Sequence, residues 1–362
     1  ASRRRESLAS EAHRCLVFGS LNMDLHAVTG QKWPRAGHIV TLTHGHFVAN
    51  PGGKGANEAV ALARLGIDVR LVGRVGDDQM GELALAALQD DVGTGGITKA
   101  PNSTTAITVL MQAKTHQVKL TCEGANDEID GRELGEALRH LPPPPPAARA
   151  SAAESAPLPL PPLRVPSRER SGSALEEESV GRGGPTNEEA AAAEAAAEER
   201  SAALDASLAA ALAKPPAAPT DRKPVEVVLM QLEVAAEPML ALVHVARERG
   251  VEVALKASPL PTDERAGGPN RDKALALLEA GITLAFLNEW EAPTLLGWSA
   301  DAMPLRSTAD AQRAACQLLD RFPSLHSTVV TSILGHVLCE RRPDDDDGDG
   351  GGGGDGDGDG DG

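Results

Sequence analysis

The sequence predicts an α/β fold in which a central, mainly parallel sheet is flanked by helices, with a small β flap beside it. Apolar runs typical of buried strands alternate with amphipathic helical segments, and this order favours a parallel sheet. Glycines directly follow several of the helical segments, as expected at helix C-termini. About 250 of the 362 residues remain when low-complexity segments are set aside, which is the size of one α/β domain.

The first half of the chain contains the elements of one such alternating series. Its first expected helix has Ala59, Val60 and Leu62 on one side, and two β-rich runs separated by Ala-Lys-Thr-His are typical of a hairpin. In order, we expect strands 15–21 and 38–48, helix 56–65 ended by Gly66, strand 68–73, helix 81–89 and a hairpin of residues 104–112 and 117–122. Together with residues 25–48, this hairpin would form the flap.

The second half repeats the alternation. Ser307 and Asp310 resemble a capping box at the start of its last helix. We expect, in order, strand 225–232, helix 236–249 ended by Gly250, strand 251–256, helix 271–280 ended by Gly281, strand 282–287, helix 308–320 and strand 327–334.

Composition divides the chain into a folded part and low-complexity segments that cannot form a packed core. Residues 142–224 are rich in Pro, Ala, Ser and Glu, and we interpret them as a surface spacer in which 187–213 form a solvated helix. The expected division is a disordered leader 1–14, an N-terminal part with the lid 15–141, the insert 142–224, a continuation 225–341 and an acidic Asp/Gly tail 342–362.

Charge and composition exclude several classes of protein. The formal net charge is −17, but nine of the 52 acidic residues lie in the tail, and no basic stripe with aromatic residues supports nucleic-acid binding. No stretch is apolar for the roughly 18 residues that span a bilayer, and the Arg-rich start lacks the apolar core of a signal peptide. Four scattered cysteines without CxxC spacing favour structural thiols in a reducing compartment. We therefore expect a soluble, non-secreted, cytoplasmic protein, or a plastid protein after removal of a transit peptide.

A glycine-rich run, Gly52-Gly53-Lys54-Gly55, opens the first expected helix and is the strongest functional signal. Paired glycines let the backbone approach a small polar ligand, and a helix start presents unpaired N–H donors. A Walker P-loop is excluded because Lys54 is followed by glycine instead of Ser or Thr. A two-histidine metal site at His44 and His46 is disfavoured against a polar strand face, because no third ligand is near in sequence.

Polar side chains follow two of the expected strands. Asn22 and Asp24 come at the end of the first strand, where open α/β folds bind ligands, and an amide with a carboxylate two residues apart suits vicinal hydroxyls. A strand-end turn is the alternative for this pair. Glu233 follows strand 225–232, with a solvated helix start as its alternative.

The run from Gly52 through Ala59 resembles the first signature of the PfkB-type, ribokinase-like carbohydrate kinases, and Gly66 and Gly76 follow it at the spacing of that signature. The resemblance extends through the run Gly73-Arg-Val-Gly-Asp-Asp-Gln-Met-Gly81. The resemblance covers residues 15–128 and implies a ribokinase-like three-layer fold with a β lid. It also implies ATP-dependent, magnesium-assisted phosphorylation of a sugar, with the 5-hydroxyl of D-ribose as the acceptor. A homodimer through the lid is a further implication.

The resemblance assigns roles to individual residues. The sugar-binding residues that it implies are Asn22, Asp24, Gly52, Gly53, Lys54, Asn57 and Glu233. Asn288 and Glu291 look like an N-x-x-E motif that helps to position Mg²⁺ with ATP, with Glu291 on the metal and Gly335 in the ATP-binding segment. A helix capped by Asn288 with Glu291 at its third position is the alternative.

The chain also departs from the family pattern. An Asp-Thr-x-Gly-Ala-Gly-Asp run, which holds the general base and a K⁺ site in the family, does not occur in the sequence, so no catalytic residue is assigned. Lys256 stands near the place of a polar Asn-Pro or Asp site, and Ile333 replaces a threonine of the ATP segment. Two further functions stay open: an inactive, truncated relative that only binds sugar, and a kinase for another sugar or a nucleoside.

Overall fold

The structure is a computed structural model that describes residues 13–30, 45–114, 116–143, 202–203, 205–213, 224–260, 269–299, 304–333 and 335–341. The leader up to residue 12, the acidic tail and most of the insert lie outside these residues. So does His44, and the expected strand 38–48 is described only from residue 45 onward. Among the described residues, no helix combines the length and the apolar character needed to cross a bilayer.

The described residues form two sheets, which contain the expected strands together with two that were not expected, Ile97–Ala100 and Gly335–Glu340. The strands are β1 (Arg14–Phe18), β2 (Asn22–Val28), β3 (His46–Gly52), β4 (Asp68–Gly76), β5 (Ile97–Ala100), β6 (Ala106–Gln112), β7 (Gln117–Cys122), β8 (Val227–Gln231), β9 (Glu252–Lys256), β10 (Leu284–Asn288), β11 (Ser327–Ser332) and β12 (Gly335–Glu340). The helices, numbered in chain order, are α1 (Lys54–Arg64), α2 (Gln79–Leu88), α3 (Gly131–Leu138), α4 (Ala236–Glu248), α5 (Pro269–Ala280), α6 (Glu291–Leu296) and α7 (Thr308–Arg321).

The large sheet has eight strands in the order β12-β11-β10-β9-β8-β1-β4-β5. Its strands are parallel except for β12, which pairs antiparallel with β11. The predicted mainly parallel α/β sheet is therefore confirmed. Because the strands are parallel, the polar residues that follow β1, β8, β9, β10 and β11 all lie at one edge of the sheet.

Helices cover the sheet on both faces. Helices α3 to α7 pack with Leu16, Phe18, Val228 and Met230 on one face, and this is the larger of the two core clusters. On the other face α1 and α2 pack against Val17, Leu71 and neighbouring side chains. The side chains of β1 alternate between these two clusters, as expected for a central strand.

The small sheet is the expected flap, with strand order β3-β2-β6-β7. Strands β6 and β7 form the predicted hairpin, and β2 runs parallel to β6 and antiparallel to β3. One placement was wrong: Asn22 and Asp24 do not end the first strand. The chain bends at residues 19–21, where the N–H of Gly19 donates to the carbonyl of Val72 at 3.1 Å, and both residues then lie in β2 of the flap.

Part of the insert belongs to the core, which corrects the expectation of a solvated helix over 187–213. Residues 205–213 are helical, and within them Leu208 is fully buried with Leu134 and Leu138 of α3. The Ser207 hydroxyl accepts a hydrogen bond from the N–H of Gly131 at 3.2 Å. A Cβ on Gly131 would lie 2.1 Å from the Ser207 carbonyl oxygen, so the glycine permits this close contact.

Two cysteines far apart in sequence are neighbours in the structure. The Sγ atoms of Cys316, on α7, and Cys339, on β12, are 3.6 Å apart, and burial together with the Cys316 thiol raises the pKa of Cys339 to about 11. Cys15 is buried in β1, where burial raises its pKa to about 12. A raised pKa disfavours the reactive thiolate, in keeping with the interpretation as structural thiols.

A buried ion cluster joins the large sheet to the turn before α3. The Arg74 guanidinium on β4 donates to Glu133 at 3.0 and 2.8 Å and lies 2.9 Å from a carboxylate oxygen of Asp130. Glu133 is fully buried, it also accepts from the Thr98 hydroxyl, and its contact with the N–H of Asp130 at 2.9 Å completes a capping box. The Arg74 charge is therefore matched inside the protein, and removal of one partner leaves the others uncompensated.

We expect Arg74→Met to lower the free energy of unfolding by about 3 to 5 kcal/mol, because it leaves the Glu133 carboxylate buried without its cation. Urea-induced unfolding followed by circular dichroism measures the change. Arg64→Met, which removes an exposed arginine 2.7 Å from Asp91, is the control and should leave the unfolding midpoint nearly unchanged. Equal effects of the two substitutions would contradict a stabilising role for the buried cluster.

Candidate functional site

The glycine-rich run lies where the flap meets the large sheet. Gly52 ends β3, Gly53 precedes α1, and Gly53 has a φ of 90°, a conformation that favours glycine. A Cβ on Gly52 would lie 2.2 Å from Asp24 Oδ2, and a Cβ on Gly53 would lie 2.7 Å from the carbonyl oxygen of Ser20. Both glycines thus allow the run to pack directly against the segment that carries Ser20 and Asp24.

Glu233 anchors this run to the tip of β8. Its Oε1 atom is 2.5 Å from Lys54 Nζ, and its Oε2 atom accepts from the Lys54 N–H at 3.1 Å and from the Ser20 hydroxyl at 2.6 Å. Glu233 therefore occupies the N-terminus of α1, where the N-cap residue, Gly53, has no side chain that could act as a cap. A carboxylate at this position also interacts favourably with the helix dipole.

The protonation of Glu233 follows from these contacts. Burial of the carboxylate opposes its ionisation, but the Lys54 charge and the hydrogen bonds from Lys54 and Ser20 outweigh that effect, so the pKa of Glu233 is lowered. Glu233 is consequently an ionised hydrogen-bond acceptor near neutral pH. The alternative of a solvated helix start does not describe it, because its side chain is only 13% exposed.

Asn22 and Asp24 lie on the same face of β2, and they differ in their surroundings. The Asn22 amide donates to Thr108 Oγ1 at 3.3 Å and accepts from the Asn126 amide at 2.8 Å, so its side chain helps to hold the flap in place. Asp24 is level with Asn50 on β3 and with Thr108 on β6. This row of polar residues is the part of the flap beside Gly52.

Asn57 lies on α1, and its side chain is exposed. Its backbone N–H donates to the Gly53 carbonyl at 3.0 Å as part of the first helical turn. The structure thus brings six of the predicted sugar-binding residues to one junction, and it adds Ser20. The six are Asp24, Gly52, Gly53, Lys54, Asn57 and Glu233.

A second group of polar residues adjoins the first along the same edge of the sheet. The Gln231 amide, at the end of β8, donates to the Glu58 carboxylate, and Lys256 Nζ, at the end of β9, is 3.5 Å from Glu58 Oε1. Burial raises the pKa of Glu58, and Lys256, Gln231 and Lys54 oppose that shift. The sequence analysis did not select Glu58 or Gln231, although Glu58 lies within the run from Gly52 through Ala59.

Asn288 and Glu291 form the helix cap that was the alternative for this pair. Asn288 Oδ1 accepts from the N–H groups of Trp290 and Glu291 at 2.9 and 2.8 Å, and Glu291 Oε2 accepts from the Asn288 N–H at 2.9 Å. Burial raises the pKa of Glu291, while Ser258, Asn288, Lys256 and Lys54 oppose the shift.

Gly335 begins β12 at the turn after β11 and has a φ of 128°. In the sheet Asn288 pairs with Thr331, and Thr331 pairs in turn with His336 next to Gly335. Gly335 and the Asn288 cap therefore lie at the same edge, on two strands that flank β11. In the order of the strands, Asn288 and Gly335 lie farther from the flap than the other candidate site residues do.

The candidate metal ligand of this site is Glu291. Within the described ranges, no three His, Cys, Asp or Glu side chains are grouped so that they could hold a metal ion. Mg²⁺ usually keeps several waters and binds through one or two carboxylates together with substrate phosphates. Glu291 fits that pattern as a single carboxylate.

Comparison with known proteins relates part of this chain to a family of kinases. Residues 12–142 match the sequence model described as pfkB family carbohydrate kinase. The chain resembles the PfkB carbohydrate kinases. The PfkB-type segment is 41% identical over 126 residues to a ribokinase of Bacillus subtilis, an alignment that covers 34% of this chain and 42% of that protein.

A deoxyribokinase of Salmonella typhi is 31% identical over 127 residues, which is 34% of this chain and 40% of the relative. The chain therefore spans about two-fifths of the length of these curated relatives. A solved structure of Arabidopsis thaliana ribokinase complexed with ribose and ATP superposes with a TM-score of 0.54 at 18% identity, covering 91% of this chain and 75% of that one. The structural likeness shows that the fold is ribokinase-like and extends beyond the PfkB-type segment.

The lowered pKa of Glu233 predicts a pH-dependent contribution to stability. A carboxylate with a lowered folded-state pKa stabilises the fold above its unfolded pKa of about 4.3, and this contribution is lost as the pH falls through the folded value. We expect Glu233→Gln to lower the free energy of unfolding by roughly 3 kcal/mol at neutral pH and by progressively less under acid conditions.

Urea unfolding of both proteins between about pH 7 and pH 3 measures this difference. Glu226→Gln is the control, because Glu226 is an exposed carboxylate, 53% accessible, at the start of the same strand segment. It should leave the pH dependence nearly unchanged. A Glu233→Gln effect that stays constant or grows on acidification would contradict the ionised state of Glu233.

Proposed function

We propose that this protein is an ATP-dependent sugar kinase of the PfkB type whose substrate is D-ribose, phosphorylated at its 5-hydroxyl. The observation that carries the proposal is the Lys54–Glu233 contact, which fixes the glycine-rich run beside the polar face of the flap. Sugar recognition requires several oriented donors and acceptors in a confined space, and this junction supplies both. The similarity to ribokinases supports the choice of a pentose.

In this proposal the sugar lies between the flap and the start of α1. Asp24 accepts hydrogen bonds from vicinal hydroxyls, and Asn57 and the backbone around Gly53 provide further polar contacts. Glu233 is ionised and can exchange part of its bonding with Lys54 for a sugar hydroxyl. Asn22 acts mainly by holding the flap strand in register, since its amide already has two protein partners.

The nucleotide would lie along the sheet edge that carries Asn288, Glu291 and Gly335. Mg²⁺ bound with the phosphates would neutralise charge that develops during phosphoryl transfer, and Glu291 is the carboxylate that would hold it through water. Lys256 adds a positive charge next to this position, where the family has a polar residue. A K⁺ ion is a further family cofactor whose residues are not assigned in this chain.

A second candidate function is sugar binding without phosphorylation. The sequence does not contain the Asp-Thr-x-Gly-Ala-Gly-Asp run that provides the base for proton removal from the sugar hydroxyl. Without a base and its neighbouring anion-binding backbone, phosphoryl transfer would be slower by several orders of magnitude. The residues proposed above to bind the sugar lie outside that run.

Calorimetry with D-ribose and a coupled assay for ADP release separate the two candidates. We expect saturable binding of ribose, and Asp24→Asn to weaken it by roughly 10- to 100-fold because a charge-assisted hydrogen bond is lost. Asp77→Asn, at an exposed carboxylate 3.5 Å from Lys99, is the matched control and should not change affinity.

Deoxyribose and fructose are tested in parallel, because a deoxyribokinase is among the relatives. ADP release that depends on ribose supports the kinase, and ribose binding without ADP release supports the second candidate. Tighter binding of another sugar would replace ribose as the substrate. The absence of saturable binding for every sugar would overturn the sugar site.

We also propose that the flap mediates a homodimer. The strand register places Leu25, Ala27, Val109 and Met111 on the face of the small sheet opposite Asp24. Phe47 and Leu120 lie on the same apolar face and are 65% and 57% exposed. Exposed apolar surface of this kind is typical of an association interface.

Phe47→Asp combined with Leu120→Asp should convert the dimer to a monomer, because two charges would be buried in an apolar contact. Light scattering coupled to size-exclusion chromatography measures the molar mass. Gln117→Asp, at an exposed position on the opposite face of β7, serves as the control and should leave the dimer intact. A wild-type protein that is monomeric at high micromolar concentration would refute this interface.

A further inference from the structure

Glu233 lies in a turn between β8 and α4, so its backbone is not fixed by a strand or a helix. The residues on either side, Leu232 and Val234, are almost fully buried. The backbone carbonyls of buried turn residues need hydrogen-bond partners, because water does not reach them. The groups that bind these two carbonyls therefore control how the turn presents the Glu233 carboxylate.

Lys273 provides that partner for both carbonyls. This lysine lies on α5, and its Nζ atom donates to the Leu232 carbonyl at 3.1 Å and to the Val234 carbonyl at 2.8 Å. One ammonium group thus binds the carbonyls of the two residues that flank Glu233. A lysine ammonium has three donors and no acceptor, so it can join two carbonyls in this way.

Burial and neighbouring acidic side chains act in opposite directions on the pKa of the Lys273 ammonium. Burial lowers the pKa of Lys273, while the charges of Glu123, Asp127 and Glu237 oppose that shift. These three carboxylates come from the segment before α3 and from the start of α4. The Lys273 ammonium is thus placed among acidic side chains of neighbouring elements and does not need Glu233 itself as a counter-ion.

We propose that Lys273 is a positioning residue for the sugar site: it fixes the Leu232–Val234 turn so that the Glu233 carboxylate meets Lys54 and Ser20. The inference rests on the proposed sugar-binding function and adds a residue that touches neither sugar nor nucleotide. Its effect passes through the backbone to Glu233. Removal of the ammonium releases both carbonyls at once, and the turn can then adopt conformations in which the carboxylate is misplaced.

Lys273→Met keeps most of the side-chain volume and removes the three donors. We expect it to weaken ribose binding at least tenfold in calorimetry, and to have no further effect in a Glu233→Gln background, because Lys273 acts through Glu233. Lys273→Arg retains a cation with several donors and should recover part of the affinity. Arg247→Met is the matched control. The Arg247 guanidinium also donates to a backbone carbonyl, that of Ala280 at the end of a helix, at 2.9 Å, and its removal should not change ribose affinity.

A second measurement does not depend on sugar. The coupling between Lys54 and Glu233 is obtained from the unfolding free energies of Lys54→Met, Glu233→Gln and the double variant, with Lys273 intact and with Lys273→Met. We expect the coupling to fall by more than half when Lys273 is replaced. Should Lys273→Met not fold, Lys273→Gln, which keeps two donors on a shorter side chain, takes its place in both measurements and should give an intermediate loss.

The outcomes separate this inference from the proposed function. Without ribose binding by the wild-type protein, the sugar site is wrong, and the coupling experiment alone decides whether Lys273 positions Glu233. An unchanged Lys54–Glu233 coupling would overturn the inference. So would a loss of ribose affinity on Lys273→Met that is equally large in the Glu233→Gln background, because that result indicates a general structural effect.

Discussion

The contact between Lys54 and Glu233 is the interaction on which the arrangement of the site depends. It joins the start of α1 to the tip of β8, residues separated by 179 positions in sequence. The Ser20 hydroxyl shares the same carboxylate, so the bend after β1 belongs to the same contact. Three elements that would otherwise be connected only through the sheet are thereby held at fixed distances, and the glycine-rich run is placed against the flap.

The local chemistry of the sequence was sufficient to predict the fold class and to single out the glycine-rich run of the candidate site. Alternating strands and helices with glycine at helix ends identified the parallel sheet, and Gly66 does adopt a φ of 92° after α1. The run from Gly52 to Gly55 was recognised because its glycines are required by close backbone contacts, and such requirements are visible in sequence. The cap formed by Asn288 and Glu291 was also foreseen as an alternative, since both residues lie within one helical turn.

Features that depend on contacts between distant residues were not predictable. The apolar run from Cys15 to Met23 reads as one strand, whereas Gly19 permits a bend that sends Asn22 and Asp24 into a second sheet. The roles of Ser20, Gln231 and Lys273 arise only when the tips of β8 and β9, the turn after β8 and α5 come together. The strand β12 has the alternation of a half-exposed strand, at Val337 and Cys339, but it pairs with β11 through a turn that propensity alone did not single out.

The buried position of Leu208 changes how the insert can evolve. The insert follows α3 and precedes β8, and residues 205–213 attach it to the core near its second end as well. If the rest of the insert is the surface spacer that its composition predicts, gains or losses of residues there change mainly the closure entropy, which varies with the logarithm of length. A deletion that removes Leu208 would instead leave a cavity over α3, so length variation among natural variants should stop short of this anchor.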